Sequence, residues 1–442
     1  MSVMQVCVGI DLGSTTTKAV VLNDGAEVIG RGITNSRSNY DVACQVARDE
    51  AFVQARLTLT RNALGGGRLA ELQNAFLYDL LRHFRHQQHL ARLESLRSAL
   101  RHAAEHPRHR EQRSDIDALL DRMLAKMAEL AAAHYQPLAI RKSDFFRDLA
   151  AADYMHIAEQ VSDPKGVTFE TLCGLFDSAI LVTENENLEG DFERHIGAAL
   201  ERTLAQASGS LRSHAAEFAR AVENARHTEM KLVSSVGTGY GRQRLPFRKE
   251  QIRSEILCHG LGAHAMFPHT QTVLDIGGQD TKAIQVDSAG IVTSFQMNDR
   301  CAAGCGRYLG YIADEMSLGL HELGPLAQQS TCRVKINSTC TVFAGAELRE
   351  RLSLGQNRED ILAGLHRAII LRAMSLLARS GGIGEQFTFT GGVARNPAAV
   401  AALQELVKEN YGERTLNISA DSIYTGALGA ALFAQRTAQE AA

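Results

Sequence analysis

The sequence predicts an α/β protein with a duplicated core and a long helical insertion. Two stretches, at residues 6–30 and 272–298, share one design: a strand, a bend with an aspartate and glycines, a second strand, a turn and a third strand. Between them, from about residue 51 to 225, Leu-, Ala- and charge-rich text has the apolar spacing of helices. Such an internal repeat predicts two similar domains that face a shared cleft.

Length, charge and cysteine content limit the possible functions. A chain of 442 residues is too long for one ordinary core, so two or three domains are expected. The net charge of −3 gives no strong field for nucleic acid. With no run of eighteen apolar residues and no signal peptide, we expect a cytoplasmic protein without a membrane partner. Eight cysteines then favour thiols or metal ligands over disulfides.

The first hairpin carries residue types that suit a phosphate. Val6 to Ile10 predicts a strand, Asp11 to Thr17 a bend and Lys18 to Leu22 a second strand. Gly13 would let the backbone approach an anion, and the hydroxyls and N–H groups after it could donate to phosphate oxygens. Asp11 could hold Mg²⁺ through water. The spacing is not that of a P-loop, and a plain hairpin explains an isolated match equally well.

The middle of the chain predicts a helical insertion over residues 51–225, with a docking or structural role. We place its neighbours at 1–50 and 226–270, which together form the N-terminal subdomain, and at 271–442 for the C-terminal subdomain. His86 and His89 could in principle face one metal, but no carboxylate or thiol pattern accompanies them, so a solvated helix face is expected. The insertion is dense in histidine: His83, His86, His89, His102, His106 and His109.

The α/β pattern resumes after the insertion. Residues 231–236 predict a strand, 237–241 a flexible glycine turn and 252–266 a helix. The bend from Asp275 to Asp280 then repeats the design of the first hairpin, so the two bends would grip a terminal phosphate from opposite sides. A further bend at Thr390-Gly391-Gly392 follows a short strand, and its glycines would admit an adenine or a ribose.

Two cysteines between residues 298 and 342 suggest a metal centre. Cys301 and Cys340 each precede a segment with helical character, where the helix dipole lowers a thiol pKa. Thiolates hold iron–sulfur clusters, usually four to a cluster. Either Cys305 and Cys332 complete the set, or a second subunit supplies the other pair. The plain alternative is that all are small buried hydrophobic residues.

These motifs, in this order, resemble those of the acetate and sugar kinase, heat-shock 70 and actin superfamily, so the resemblance implies a duplicated actin-like ATPase fold. The segments NDRCAAGCGRYL and INSTCTVFA narrow the resemblance to particular families of this superfamily. They resemble the iron–sulfur ATPases that activate 2-hydroxyacyl-CoA dehydratases, and the ATP-binding subunits of ATP-dependent benzoyl-CoA reductases. The similarity covers residues 1–50 and about 226–438. The long insertion is similar to that of the larger benzoyl-CoA reductase ATP-binding subunit.

The resemblance implies ATP, Mg²⁺ and a [4Fe–4S] cluster that two subunits share, with Cys301 and Cys340 as this chain's ligands. Gln279 and Asp280 are the candidates to orient the attacking water. Gly345 stands where the activators carry a glutamate, which leaves Glu347 as the nearer acid. The implied nucleotide-binding residues are Asp11, Gly13, Ser14, Thr15, Thr16 and Lys18 in the first bend, Asp275, Gly277 and Gly278 in the second, and Gly391 and Gly392 in the nucleoside loop.

The function predicted from this resemblance is that of an ATP-hydrolysing electron-transfer subunit of benzoyl-CoA reductase. It would pass electrons from a ferredoxin through the cluster to substrate-binding reductase subunits, beside a shorter homologous ATP-binding subunit. The first alternative is an activator of a 2-hydroxyacyl-CoA dehydratase. A small-molecule kinase would need no iron, and a chaperone-like module would need a β-rich peptide-binding domain, which the sequence does not predict.

Overall fold

The computed structural model divides into two compact units. One comprises Phe52–Glu229, and the other comprises Met4–Ala51 together with Met230–Ala442, here called the core unit. The α/β class with a helical insertion is therefore confirmed. The structure describes residues 3–36, 39–65, 67–139, 141, 143, 145–186, 190–239, 246–298, 305–336 and 341–440.

All described strands belong to two sheets in the core unit. The first sheet has the order β3-β2-β1-β4, and the second has the order β7-β6-β5-β8-β9. Strands β5 and β8 run parallel, as do β8 and β9, whereas the hairpins β1-β2-β3 and β5-β6-β7 are antiparallel. The strands are β1 (Val3–Leu12), β2 (Thr16–Asn23), β3 (Val28–Asn35), β4 (Glu229–Gly239), β5 (Thr272–Ile276), β6 (Thr281–Val286), β7 (Val292–Asn298), β8 (Gln386–Thr390) and β9 (Thr415–Asn417).

Fifteen α-helices lie within the described residues, the longest of them in the insertion. Short 3₁₀ segments occur at Pro107–His109, Lys249–Gln251, Gly392–Arg395 and Ser422–Tyr424. The α-helices are α1 (Tyr40–Leu64), α2 (Gly67–Ala104), α3 (Arg113–His134), α4 (Phe146–Val161), α5 (Phe169–Glu184), α6 (Asp191–Gln206), α7 (Gly209–Ser213), α8 (Ala215–His227), α9 (Glu255–Met266), α10 (Gly306–Glu315), α11 (Leu323–Ala327), α12 (Thr341–Ser353), α13 (Arg358–Ser380), α14 (Pro397–Tyr411) and α15 (Thr425–Glu440).

Helices α9 and α15 cross at close range in the middle of the core unit. A Cβ on Gly429 would lie 1.8 Å from the carbonyl oxygen of Cys258, so only glycine allows this approach. Helix α15 also packs on the first sheet, because a Cβ on Gly9 would lie 2.1 Å from the Ala427 carbonyl oxygen. Helix α9 packs on the second sheet, where Gly260 faces Val292. Helix α15 thus lies against the N-terminal sheet, whereas α9 lies against the sheet that follows it in the chain.

The largest apolar cluster of the core unit lies around α13. This helix is long enough and apolar enough in composition to cross a membrane, the one such helix among the described residues. Most of its apolar stretch is buried, including Leu362, Leu365 and Leu377, which is typical of a central core helix. Around it pack apolar residues of β5, β8, α10 and α14.

The insertion has its own core, built on the long helix α2. Its N-terminal half packs with α1, α6 and α8, where the rings of Phe76 and Phe218 stack at 4.3 Å. Its C-terminal half packs with α3, α4 and α5. The expected solvated histidine face is wrong, because His83, His86 and His89 are all buried in this unit. Since α2 is covered on several sides, its polar residues turn inward as well.

Two local predictions differ from the structure. The turn expected at 237–241 is wrong over Gly237–Gly239, because these residues extend β4 beside β1; residues 240–245 lie outside the described part. The helix expected directly after Cys301 begins only at Gly306, so Cys305 is the residue that precedes it. Sequence patterns predict that a helix or strand exists more reliably than they predict the residue at which it begins or ends.

Candidate functional site

The two hairpins place an aspartate and a lysine opposite each other in the same way. Asp11 near the end of β1 pairs in register with Lys18 of β2, and Asp275 near the end of β5 pairs with Lys282 of β6. Both aspartates are buried, with exposed fractions of 4% and 2%. The internal repeat therefore extends to the individual charged residues of the site.

A glycine at or just past the end of the neighbouring strand lies close to each aspartate. Gly239 and Gly391 have φ values of +110° and +84°, which L side chains rarely adopt. A Cβ on Gly391 would lie 2.3 Å from the Ile276 carbonyl oxygen and 3.1 Å from Asp275 Oδ1. Just before it, Thr390 Oγ1 donates a hydrogen bond of 2.8 Å to Asp275 Oδ1. The predicted nucleoside loop and the second bend thus meet at Asp275.

The two bends approach each other directly. A Cβ on Gly278 would lie 2.5 Å from Thr15 Oγ1 and 3.5 Å from Ser14 Oγ, so the hydroxyls of the first bend face the backbone of the second. Ser36 braces the first bend, because its Oγ donates to the Gly13 carbonyl oxygen at 2.6 Å and its N–H donates to the Thr15 carbonyl oxygen at 2.8 Å. The hydroxyls and the glycine therefore lie face to face at contact distance, and the place where the two bends face each other is here called the gap between the bends.

Lys282 is enclosed by carboxylates. Its Nζ lies 2.8 Å from Glu255 Oε1, 2.8 Å from Asp280 Oδ1 and 3.4 Å from Asp275 Oδ2. Burial alone would lower the pKa of Lys282, but the three negative charges outweigh it and the pKa is raised. Its ion pairs link the second bend, through Asp275 and Asp280, to helix α9 through Glu255. Asp280, predicted to orient water, is bound to the same ammonium.

Lys18 has a different environment from its counterpart. It is half-buried, and its Nζ lies 3.2 Å from the position of a Cβ on Gly13, over the first bend. Of the two equivalent lysines, Lys18 is the one placed toward the gap between the bends. The duplicated hairpins thus leave one lysine half-buried over the first bend and pair the other with carboxylates inside the fold.

His259 joins the two aspartates. Its Nδ1 lies 3.3 Å from Asp275 Oδ1, and its Nε2 lies 4.0 Å from Asp11 Oδ2. Burial lowers the pKa of His259, but the charges of Asp275 and Asp11 act in the opposite direction and the pKa is raised. For Asp275, burial raises the pKa, yet His259 and Lys282 hold it below its ordinary value.

The environment of Asp11 fits a bound cation. Its Oδ1 is buried and has no hydrogen-bond partner in the described part of the chain. Burial raises the pKa of Asp11, and Lys18 opposes this only in part. Within the described ranges no group of three or more His, Cys, Asp or Glu side chains is arranged to hold a metal. Mg²⁺ needs only one or two carboxylates beside phosphates and water, so this residue suits it.

The remaining residues predicted for the site lie in the second bend, on helix α12 or outside the described residues. Gln279 is half-buried in the bend between β5 and β6. Glu347 lies on α12, where its carboxylate pairs with Arg351 at 2.7 Å. A Cβ on Gly345 would lie 2.7 Å from the Tyr311 hydroxyl, so the tyrosine fills the space of a side chain there. Cys301 and Cys340 lie outside the described residues.

Sequence reasoning missed Glu255, His259, Lys282 and Ser36. Lys282 was detectable, because aligning the two hairpins on their aspartates places it at the position equivalent to Lys18. Glu255 and His259 carry only the weak signal of an i, i+4 pair on one helix face. Ser36 carries no local signal, since its role depends on β3 returning beside the first bend.

The segment that leads to the predicted cluster ligand is bound to the second bend. Cys305 is buried immediately before α10. The next two residues, Gly306 and Arg307, donate their backbone N–H groups to the carbonyl oxygens of Gly277 and Gly278, each at 2.8 Å. The first turn of α10 therefore rests on the backbone of the candidate phosphate loop.

The chain is similar to known proteins in sequence and in fold. The chain is 41% identical over 231 residues to the (R)-2-hydroxyglutaryl-CoA dehydratase activating ATPase of Acidaminococcus fermentans, covering 52% of this chain and 85% of that protein. It is 30% identical over 206 residues to one of the subunits of the benzoyl-CoA reductase of Thauera aromatica, covering 47% of this chain and 72% of that protein.

The crystal structure of the A. fermentans dehydratase component A shares the fold, with a TM-score of 0.53 and 24% identity over 98% of this chain and 99% of that one. The actin-like architecture predicted from the sequence is therefore confirmed. The family model of the BadF/BadG/BcrA/BcrD ATPases matches residues 8–434, nearly the whole chain. With paired aspartate bends, a facing glycine loop and this match, the chain belongs to the BadF/BadG/BcrA/BcrD ATPase family.

Proposed function

We propose that this chain is an ATP-hydrolysing activator of a 2-hydroxyacyl-CoA dehydratase. The observation that carries the proposal is the higher identity to a dehydratase activator, 41% against 30% for the benzoyl-CoA reductase subunit. The sequence resemblance alone favours the reductase, chiefly through the insertion, whereas the identity over the core favours the activator. The activator is therefore the first candidate.

In this proposal Mg-ATP lies in the gap between the two bends. Ser14, Thr15 and Lys18 bind the phosphates from one side, and the backbone at Gly277 and Gly278 from the other. Thr16 starts β2 and supports the first bend, and Gly391 and Gly392 admit the nucleoside. Mg²⁺ neutralises phosphate charge and is held at Asp11. Backbone N–H groups at glycines and side-chain hydroxyls are the usual hydrogen-bond donors to phosphate, and the two bends provide both.

Gln279 is the proposed residue to orient the hydrolytic water. It lies half-buried in the second bend, whereas the neighbouring Asp280 is bound to Lys282 at 2.8 Å. Asp280 would then act by fixing the bend. Glu347 is a weaker candidate, because Arg351 already neutralises its carboxylate at 2.7 Å.

We also propose that Cys301 and Cys340 ligate a [4Fe–4S] cluster shared with a second, homologous subunit. A cluster of this kind takes four thiolates and would supply one-electron transfer when bound. The chain would then receive electrons from a ferredoxin and act in the cytoplasm on its dehydratase partner. The supporting feature is the contact of α10, just beyond Cys301, with the second bend.

The test combines the anaerobically purified protein, Mg-ATP and a low-potential reductant with one of two targets. One arm holds a 2-hydroxyacyl-CoA dehydratase and measures dehydration. The other holds the substrate-binding subunits of benzoyl-CoA reductase and measures ring reduction. Activation of the dehydratase alone supports the proposal, and ring reduction alone contradicts it. A third arm without either target measures basal ATP hydrolysis and so separates the ATPase from its partner.

The role of a benzoyl-CoA reductase component remains the second candidate because of the insertion. The match to the activator spans 231 residues, 85% of that protein but only 52% of this chain. We infer that the helical unit Phe52–Glu229 is an addition to the activator core. A larger, heteromeric complex would give such an addition a partner to bind.

A further inference from the structure

A single histidine lies between the equivalent aspartates of the two hairpins. His259 Nδ1 is 3.3 Å from Asp275 Oδ1, in the second hairpin, and its Nε2 is 4.0 Å from Asp11 Oδ2, in the first. The side chain is only 7% exposed. No other described side chain is in ion-pair contact with both aspartates.

The helix that carries His259 is fixed to the second sheet. A Cβ on Gly260 would lie 2.6 Å from Val292 Cγ2, so α9 packs tightly against β7. The opposite wall is Gly426 of α15, where a Cβ would lie 2.7 Å from His259 Nε2 and 2.8 Å from Asp11 Oδ2. The imidazole thus occupies a slot that only glycine leaves open.

The charges around this slot are unbalanced without the histidine. Three carboxylates face it, since Glu255 Oε1 lies 3.9 Å from its Nε2 in addition to Asp11 and Asp275. Two cations among the described residues are near: Lys282 is already shared among Glu255, Asp275 and Asp280, and Lys18 only partly offsets the raised pKa of Asp11. A buried carboxylate that loses its partner is strongly destabilised. His259 therefore holds together groups that would otherwise repel each other.

We propose that His259 is a positioning residue of the nucleotide site, which ties Asp11 to Asp275 and so sets the spacing of the two bends. It acts through Asp11: the charge of the imidazole, 4.0 Å from Oδ2, orients the carboxylate and leaves the unpartnered Oδ1 for the cation. The inference rests on the proposed nucleotide site but not on the identity of the protein partner.

The first test is His259→Gln, with His264→Gln on the same helix as the matched control. His264 lies beside Gly290 of the turn between β6 and β7. Misplacement of a reacting group by about 1 Å costs about 100-fold in rate. We expect His259→Gln to lower kcat for ATP hydrolysis at least about tenfold and to weaken Mg-ADP binding in calorimetry. The control should stay within about twofold of wild type in both measurements.

A second variant moves the imidazole without removing it. Gly426→Ala would push against His259 Nε2 and Asp11 Oδ2, so it should reproduce the loss of kcat and of Mg-ADP affinity. Gly174→Ala is its control, because a Cβ there meets open space within an insertion helix. If His259→Gln does not fold, Gly426→Ala tests the proposal instead. Its clash is with side-chain atoms, so a small shift of the imidazole and the carboxylate lets the protein fold while displacing both groups.

The outcomes separate this inference from the proposed function. Wild-type protein that neither binds Mg-ADP nor hydrolyses ATP would contradict the nucleotide site itself. Active wild type together with His259→Gln at wild-type kcat and Mg-ADP affinity would overturn the inference and leave the site intact. A lower Tm with unchanged kcat and affinity would also overturn it, because it assigns His259 to stability alone.

Discussion

The backbone N–H of Gly306 donates to the carbonyl oxygen of Gly277 at 2.8 Å. This hydrogen bond joins the first turn of α10 to the second bend, and Arg307 makes the same contact to Gly278. The amides at a helix start have no partner inside the helix, so a loop that accepts from them fixes the helix end. A nucleotide that orders the bend should therefore also order the start of α10.

Hydrogen exchange tests this coupling at the two amides. With Mg-ADP bound, we expect slower exchange at Gly306 and Arg307, because the bend that accepts their hydrogen bonds moves less. Mass spectrometry of peptides from the start of α10 measures it, and peptides from α14 serve as the internal control. Unchanged exchange at both amides under saturating nucleotide would contradict the coupling.

Asp11→Asn should separate activity from stability. We expect ATP hydrolysis to fall by about 10²–10³-fold, the usual cost of one electrostatic contact to the reacting groups. Its pKa is raised by burial, so the ionised form is destabilised in the folded state at neutral pH. Asparagine removes that cost, and Tm without nucleotide should be equal to or above wild type. Wild-type ATPase rates would show that Asp11 does not hold the cation.

The cluster assignment predicts different outcomes for three cysteines. Under anaerobic purification with a co-expressed homologue, we expect Cys301→Ser and Cys340→Ser to lose iron. Cys305→Ser should keep it, because Cys305 is buried at the start of α10 like a small apolar residue. Iron and sulfide analysis measures the content. Iron loss in Cys305→Ser with retention in Cys301→Ser would move the ligand by four residues.

Removing the insertion should preserve nucleotide binding. Residues 52–229 form a compact unit with its own apolar cores, so a short Gly/Ser linker in their place should leave the core unit folded. We expect an unchanged Mg-ADP affinity and weaker assembly with partner subunits, measured by calorimetry and sedimentation. Lost affinity with intact assembly would reverse the proposed roles of the two units.

The insertion should also lose stability in mild acid. His89 is packed against Tyr135 and Phe146, and burial lowers its pKa to about 3. A histidine in the unfolded chain has a pKa of about 6.5. As the pH falls below about 6.5, the unfolded state takes up a proton that folded His89 does not, so the free energy of unfolding decreases. At pH 4.5 the loss of folding free energy is about 3 kcal/mol. In thermal unfolding of the insertion, His89→Gln should show a smaller loss of Tm between pH 7.5 and 4.5 than wild type.

Local pattern was enough to predict the hairpins and most of their residues. Alternation of apolar residues marks β1 and β2, and a glycine bend after an aspartate marks where they turn. The same signals recur at Asp275, so the duplication follows from the chain alone. Each hairpin depends on residues within about ten positions of each other, where spacing and side-chain direction are tightly linked.

The roles of the charged residues were decided by tertiary structure. Lys18 and Lys282 stand at equivalent positions of the two hairpins. Of these two lysines, Glu255 on helix α9 forms an ion pair only with Lys282. Asp11 and His259 meet although more than half of the chain separates them, and no local period encodes that contact. A charge is set by what surrounds it in three dimensions, because burial and neighbouring charges shift its pKa together. The sequence determines which residues stand in each bend, and only the packing of α9 decides which of their charged groups are paired inside the fold, because Glu255 and His259 both come from this helix.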